Sequence, residues 1–455
     1  MLWYSRKIFA GTSFIKSTAK GIEAIVMEIL ISLSAALIGG LLMSRLAKRL
    51  HLPAVTAYLV AGLLLGPFFI GLLGIPGLGF SSMESVERLN ILSQVALGFI
   101  AFTIGNEFRV SQLKTMGRQA IIVGILQAVC ATLMVDAALI LLHFIRPEAI
   151  SVSSAITLGA IAAATAPAAT LMVVRQYKAD GPMTRLLLMV VAIDDAVGLV
   201  LFSASFGVAM ALESGTISVV SVLVEPVVEI VLSLLLGSVA GLALYWVERF
   251  FHSRSKRLSI SIGFVFLTAG LSMGEFELGG VHCGFSLLLV CMMTGTLFCN
   301  ICDFSEELMA RVDGWTAPLF VLFFVLSGAE LDLSVLRNPS VLLIGVIYIL
   351  IRSLGKYLGS YGSCALTGCS KNIRNHLGMT LLPQAGVALG MAITAQSLAD
   401  GAMVRSVVLF SVLVYELVGP ALTKRSLLAA GEIMPEGKTS ARKKNPQKTK
   451  HHSVT

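Results

Sequence analysis

The chain has 455 residues, of which 56% are hydrophobic and only 13% are charged. Soluble proteins carry about 25% charged residues, so this composition excludes a soluble globular protein and predicts a polytopic membrane protein. The net charge of +8 does not indicate nucleic-acid binding, because the basic residues fall in short loops and in the tail. The seven cysteines lie mostly in apolar segments without zinc-finger spacing. We therefore expect no bound metal centre or other cofactor.

Apolar segments long enough to cross a bilayer, about 20 residues each, recur along the chain. Thirteen such segments lie at 23–46, 53–73, 88–107, 118–145, 153–175, 182–210, 222–247, 257–274, 281–299, 314–332, 339–367, 374–397 and 402–424. The links between them are short, so residues 27–424 are predicted to form one transmembrane domain. We expect the Lys-rich segment 425–455 to be a disordered tail.

The positions of Lys and Arg predict the orientation of the chain in the membrane. One set of loops carries most of these residues, whereas the opposite set carries only Arg88, Arg146, Arg337 and Arg405. The C-terminus is therefore predicted to be cytoplasmic, in a plasma membrane of bacterial type. Residues 1–26 are also basic and conflict with this topology. They can be a dispensable N-terminal extension, a fourteenth span, an interfacial segment or a stretch that precedes a start at Met27.

An internal repeat divides the apolar segments into two halves. Residues 105–113 and 328–336, at the ends of the third and tenth segments, share the pattern G-x-E-[F/L]-x-[V/L]-S-x-L. Because an odd number of segments separates the copies, they must point in opposite directions across the membrane. The sequence thus predicts an all-α fold of about thirteen transmembrane helices, in which two inverted six-helix repeats are joined by a linker helix at about 222–247.

The fifth segment of each half contains helix-breaking residues. Pro167 interrupts AATAPAAT in the first half, and Pro383 and Gly386 interrupt LLPQAGVALG in the second. Interrupted helices at matching positions of inverted halves are the best sequence indication of a transporter's binding site. Their freed carbonyl groups are expected to coordinate a cation. Thr165 is the better side-chain ligand there and Gln384 the other polar residue, although Thr165 can instead bond a carbonyl of its own helix.

Two adjacent acids, Asp194 and Asp195, lie in the middle of the sixth segment. A carboxylate at the bilayer centre costs at least ~2.5–3.5 kcal/mol, and such an acid is by default an ion or proton site. The two side chains lie ~100° apart around the helix, so one of them should face the cavity more directly. Burial and a neighbouring like charge both favour a protonated carboxyl group. Such a group can hold a proton and release it when a cation competes.

The eleventh segment supplies two candidate charge partners, Arg352 and Lys356. Their i, i+4 spacing puts them on one helix face, and a cation in mid-span needs an anionic partner, for which Asp194 or Asp195 is the obvious choice. Lys356 can instead extend towards the membrane interface.

These residues resemble those of the monovalent cation:proton antiporters, in the sodium/proton branch that is related to potassium-efflux transporters. The resemblance covers about residues 27–424 and is carried by AIDDAVGLVLF, LLPQAGVALG and the basic residue of the eleventh segment. It implies a homodimer in which the fifth and twelfth helices cross where they unwind. It also implies a core, at about 118–210 and 339–424, that moves like an elevator against a dimerisation domain at about 27–107 and 257–332.

The resemblance further implies roles for individual residues. Asp195 matches the carboxylate that carries the cation and the proton. Together with Asp194 and Thr165, the ligand candidate at the first helix break, it is expected to form the cation site. Asp194 matches the acid that pairs with the basic residue, for which Arg352 aligns best. An acidic pair implies electrogenic exchange. Arg does not release its proton, so a mechanism in which the base is a second proton carrier requires Lys356. Some relatives have an Asp where this chain has Ala166.

The sequence therefore predicts a secondary antiporter, not an enzyme, that exchanges protons for Na⁺ or K⁺ across the lipid bilayer. A potassium-efflux-type transporter is the alternative, although those relatives usually carry a C-terminal nucleotide-binding domain. An intramembrane aspartyl protease also uses two acids, but they lie on different helices and this chain has no GxGD motif.

Overall fold

The computed structural model describes residues 27–50, 52–73, 75, 79–105, 108–214, 224–274, 276–278, 281–331 and 337–433. The helices are α1 (Met27–Arg49), α2 (Ala54–Leu65), α3 (Met83–Glu87), α4 (Asn90–Gly105), α5 (Val110–Ile145), α6 (Val152–Ile161), α7 (Pro167–Tyr177), α8 (Pro182–Ser214), α9 (Glu225–Arg249), α10 (Arg254–Ser272), α11 (Leu287–Ile301), α12 (Ser305–Ala329), α13 (Pro339–Leu366), α14 (Lys371–Thr380), α15 (Gly386–Thr394) and α16 (Gly401–Ala429). Two short antiparallel strands, β1 (Phe276–Leu278) and β2 (Val281–Cys283), form a hairpin between α10 and α11.

The helices confirm a polytopic membrane protein. Eight of the described helical segments are long and apolar enough to cross a membrane, and α4, α6 and α11 are shorter apolar helices. The count of thirteen crossings stays a prediction. Helix α16 continues to Ala429, beyond the predicted boundary at 424. The predicted N-terminal extension 1–26, the tail from 434 onwards and parts of both repeat motifs, 106–107 and 332–336, lie outside the described residues.

Both predicted interruptions are present. The fifth segment is divided into α6 and α7, and the twelfth into α14 and α15. Pro167 is the first residue of α7, a position where its missing N–H costs no helical hydrogen bond. The two breaks lie side by side, since the Ala166 N–H donates to the Pro383 carbonyl over 2.8 Å. The prediction of two discontinuous helices that cross is confirmed.

Four glycines form two very close helix crossings between the repeats. In one, Gly105 of α4 faces Gly295 of α11, and in the other Gly62 of α2 faces Gly328 of α12. A Cβ atom on any of the four would lie 1.9–2.2 Å from a backbone oxygen of the facing helix, so the backbones are in direct contact. Gly105 and Gly328 are the matching glycines of the repeated motif. Equivalent glycines of the two inverted repeats thus make equivalent helix crossings.

This contact makes Gly328→Ala destabilising. The added methyl group would meet a backbone oxygen at 2.1 Å, and overpacking of this kind costs about 1–3 kcal/mol. We expect a lower melting temperature in detergent, followed by the fluorescence of the buried aromatic residues. Gly314→Ala, on the same helix with no atom within 4 Å, is the matched control and should be neutral or slightly stabilising. Equal melting temperatures for the two variants would contradict the proposed contact.

A third close approach places the basic residues of α13. A Cβ atom at Gly355 or Gly359 would lie 2.7–2.8 Å from atoms of α5, so α13 packs directly on α5 along this face. Tyr348, Arg352 and Lys356 are fully buried on α13. Their long side chains extend from this buried face of α13 towards the two breaks and towards α8.

Candidate functional site

Asp194, in the middle of α8, is fully buried and accepts hydrogen bonds on both carboxylate oxygens. Oδ2 accepts from Lys356 Nζ at 2.9 Å and from the Thr165 hydroxyl group. Oδ1 accepts from Gln127 Nε2 at 2.5 Å. The donors come from α13, from the first break and from α5. A buried charge is tolerated when it is both paired and hydrogen-bonded, and Asp194 meets both conditions.

Lys356 is the basic residue that contacts the acid pair. Its Nζ donates to Asp194 Oδ2 and to Thr165 Oγ1, each at 2.9 Å, and to the Ala163 carbonyl at 2.5 Å. These three bonds use all three donors of an ammonium group. Lys356 is fully buried, so the alternative in which it extends to the membrane interface is wrong.

Arg352 does not contact Asp194, contrary to the pairing that the resemblance favoured. Its guanidinium group donates to the carbonyls of Ala162, Ala164 and Leu382 at 3.0, 2.6 and 2.8 Å. Its charge also lies 4.5 Å from the centre of the Tyr415 ring. A planar group with several fixed donors suits this position. Arg352 therefore joins the two breaks to each other, because Ala162 and Ala164 belong to one break and Leu382 to the other.

Gln384 also connects the second break to its surroundings. It is fully buried, and its Nε2 donates to the Ile161 carbonyl at 2.9 Å and to the Tyr348 hydroxyl at 3.0 Å. Its Oε1 accepts from Ser411 at 3.2 Å. The carbonyls freed by the breaks thus bond mainly to side chains. Those with a donor are Ile161, Ala162, Ala163, Ala164, Leu381, Leu382 and Pro383. These carbonyls bond within the protein here, and the expectation that they coordinate a cation stays a prediction.

Asp195 has a different environment from Asp194. Its side chain is partly exposed, and its Oδ1 is buried but has no hydrogen-bond partner in the part of the chain that the structure describes. Buried polar atoms normally have such a partner. One acid of the pair is therefore fully satisfied by the protein, while its neighbour keeps an open acceptor that a proton or a cation can occupy.

Thr165 lies between Lys356 and Asp194. Its hydroxyl group accepts from Lys356 and donates to Asp194, with the Leu381 carbonyl 3.3 Å away. These contacts cross to other helices, so the alternative in which Thr165 bonds a carbonyl of its own helix is wrong. Pro383 lies within the second break, next to Gln384, and Gly386 is the first residue of α15.

Gln127 is a site residue that was not predicted from the sequence. It is fully buried on α5 and touches Asp194 directly. The signal was present in the sequence, because an amide in a transmembrane helix needs a polar partner. What the sequence did not show was that this partner lies on α8.

Crossed, interrupted helices around a buried ion pair, built from an inverted repeat, define a secondary transporter. The chain belongs to the sodium/hydrogen exchanger family, because the family model described as "Sodium/hydrogen exchanger, transmembrane" matches residues 31–428. The resemblance seen in the sequence is thereby confirmed. The protein is a multi-pass cation/proton antiporter.

Two solved structures of the sodium proton antiporter MjNhaP1 from Methanocaldococcus jannaschii have a similar fold. One, determined at pH 8, has a TM-score of 0.66 and 20% sequence identity, and the match covers 90% of this chain and 99% of that chain. The other, an electron-microscopy structure, has a TM-score of 0.64 and 20% identity, with coverage of 86% and 96%. This likeness supports the all-α antiporter fold.

Proposed function

We propose that the protein exchanges protons for Na⁺ or K⁺ by alternating access and that Asp195 is the carboxyl group shared by the two. The observation that carries this proposal is the contrast between the two acids. Asp194 is saturated by three donors, whereas Asp195 Oδ1 has no partner among the described residues. A cation that binds Asp195 displaces its proton, so both cannot be carried at once. Asp194 and Thr165, which Lys356 contacts in this structure, would supply further oxygen atoms once the cation competes with Lys356.

Movement between the two sides of the membrane is proposed to occur in the core helices. Arg352 and Gln384 connect the two breaks through buried hydrogen bonds, which favours movement of the breaks as one body. The core, which includes α5 to α8 and α13 to α16, would slide against α1 to α4 and α10 to α12. A homodimer would hold the second group of helices fixed.

Electrogenic exchange follows if Lys356 is a second proton carrier. A cation at Asp195 competes for the negative charge of Asp194, which weakens the attraction that keeps Lys356 protonated. Lys can release a proton in such a site, whereas Arg does not. Release from both Asp195 and Lys356 moves two protons per monovalent cation and hence one net charge per cycle.

Proteoliposomes with a pH dye in the lumen test this proposal. Na⁺, Li⁺ and K⁺ are added in turn, and we expect at least one of them to cause proton movement. The rate of this movement should change when a permeant lipophilic ion is used to set a membrane potential. Lys356→Arg keeps the positive charge but not the releasable proton, so its exchange should no longer respond to the potential. The absence of proton movement with all three cations would contradict antiport. A wild-type rate that does not depend on the membrane potential would contradict the role of Lys356 as a second proton carrier.

A further inference from the structure

Gln127 lies on α5 where this helix meets the two helices that carry the ion pair, α8 and α13. A Cβ atom at Gly359 of α13 would be 2.8 Å from Gln127 Cα, and a Cβ atom at Gly124, one turn earlier on α5, would be 3.2 Å from Ile193 of α8. Both neighbouring helices therefore approach α5 closely at this level. Gln127 is fully buried between the helix that carries Asp194 and the one that carries Lys356.

The amide group of Gln127 is fixed as a donor. Its Nε2 donates to the Gly124 carbonyl at 2.9 Å and to Asp194 Oδ1 at 2.5 Å, which uses both amide hydrogens. Rotation of the amide by half a turn would bring its oxygen against the Asp194 carboxylate and repel it. In the present orientation Oε1 is buried and has no partner among the described residues. Leaving a buried acceptor unpaired is unfavourable, so packing alone does not account for an amide here.

The two oxygens of Asp194 are held by different partners. Lys356 and Thr165 both donate to Oδ2, whereas Gln127 alone, among the described residues, donates to Oδ1. The terminal torsion of an Asp side chain is broad and poorly fixed by its own rotamers. If Lys356 withdraws, Gln127 is the contact that keeps Oδ1 in place.

We propose that Gln127 is a positioning residue, which holds the Asp194 carboxylate while Lys356 withdraws and thereby sets the apparent affinity for the transported cation. This inference rests on the proposed function, because it requires that the cation and Lys356 compete for the charge of Asp194. Without the amide, Asp194 can turn towards Lys356 and follow it, which strengthens the ion pair that the cation must open.

Gln127→Met tests the inference, because methionine has a similar length and no hydrogen-bonding amide. We expect the KM for the cation to rise about tenfold, the size of effect expected for the loss of one hydrogen bond to a charged group, while the maximal rate stays within about twofold. Gln119→Met is the matched control. Gln119 lies on the same helix and does not contact Asp194. Its side chain donates to the carbonyl of Thr367, the residue after α13, at 3.1 Å.

The melting temperatures of both variants show whether a change in KM comes from lost stability or from lost positioning of Asp194. Equal KM values for Gln127→Met and Gln119→Met would overturn the inference. If Gln127→Met does not fold, Gln127→Asn takes its place, because its shorter amide cannot reach Asp194. The KM of this variant should also rise, and a KM equal to that of Gln119→Met would overturn the inference. Asp195→Asn is assayed in parallel. Full exchange in that variant would overturn the proposed function itself, whereas its loss together with an unchanged KM for Gln127→Met would overturn only the role of Gln127.

Discussion

Asp195→Asn is expected to abolish cation-dependent proton movement in proteoliposomes. Asparagine has nearly the same shape but carries neither the charge that attracts a cation nor a carboxyl group that can bind and release a proton. The melting temperature should change little, because the structure shows no ion pair to Asp195 among the residues it describes, and its Oδ1 has no partner there. A variant that folds normally but does not transport would assign the exchange to this carboxyl group.

Asp136→Asn is the control for this experiment. Asp136 is also an acid within the apolar part of the chain, on α5, and its Oδ1 is likewise buried without a described partner. It lies against Gly159 of α6, nine residues or about 13 Å along the helix from Gln127. Asp136→Asn should keep its exchange. Equal activity in the two variants would mean that Asp195 is not the shared group, and equal loss would mean that the assay responds to any intramembrane acid.

Of the substitutions proposed here, Arg352→Met is expected to lower the free energy of unfolding most. The substitution leaves the carbonyls of Ala162, Ala164 and Leu382 without their donor, and each buried unsatisfied group costs about 1–3 kcal/mol. The sum, roughly 3–9 kcal/mol, is comparable with the whole free energy of unfolding of many proteins, about 5–15 kcal/mol. We expect little folded protein in the membrane, or a melting temperature far below that of the wild type.

Two further variants test the cause of this instability. Arg352→Lys retains the charge but presents its donors from a single nitrogen atom, so it should recover only part of the lost stability. Arg146→Met, in an exposed position after α5, should be close to neutral. If Arg352→Met melts like Arg146→Met, the guanidinium group does not hold the breaks together.

The broken helices and the pair of acids within an apolar segment could be predicted because they depend on local chemistry. Pro167 and Pro383 cannot continue a helix without losing a hydrogen bond, and a carboxylate in an apolar segment has few explanations other than a site. These properties belong to the residues themselves, wherever the segments are placed. The matching glycines of the repeat similarly indicated two equivalent positions.

The choice between Arg352 and Lys356 could not be made in the same way. The two residues share one face of α13 and differ by about 6 Å in position along it, so either could reach Asp194. The level at which the breaks cross α13 decides which of them does, and that level depends on packing between distant parts of the chain. Gln127 was missed for the same reason, because it meets Asp194 only after α5 and α8 have packed.

The glycine crossings also constrain how the protein is made. Each crossing pairs a helix of the first half with a helix of the second, α2 with α12 and α4 with α11. When the first half has left the ribosome and entered the bilayer, the faces around Gly62 and Gly105 still lack their partners, since α11 and α12 are synthesised last among these four. The crossing of α2 with α12 can therefore form only after translation has passed residue 329, and a chain that stops earlier would leave the face around Gly62 without its partner.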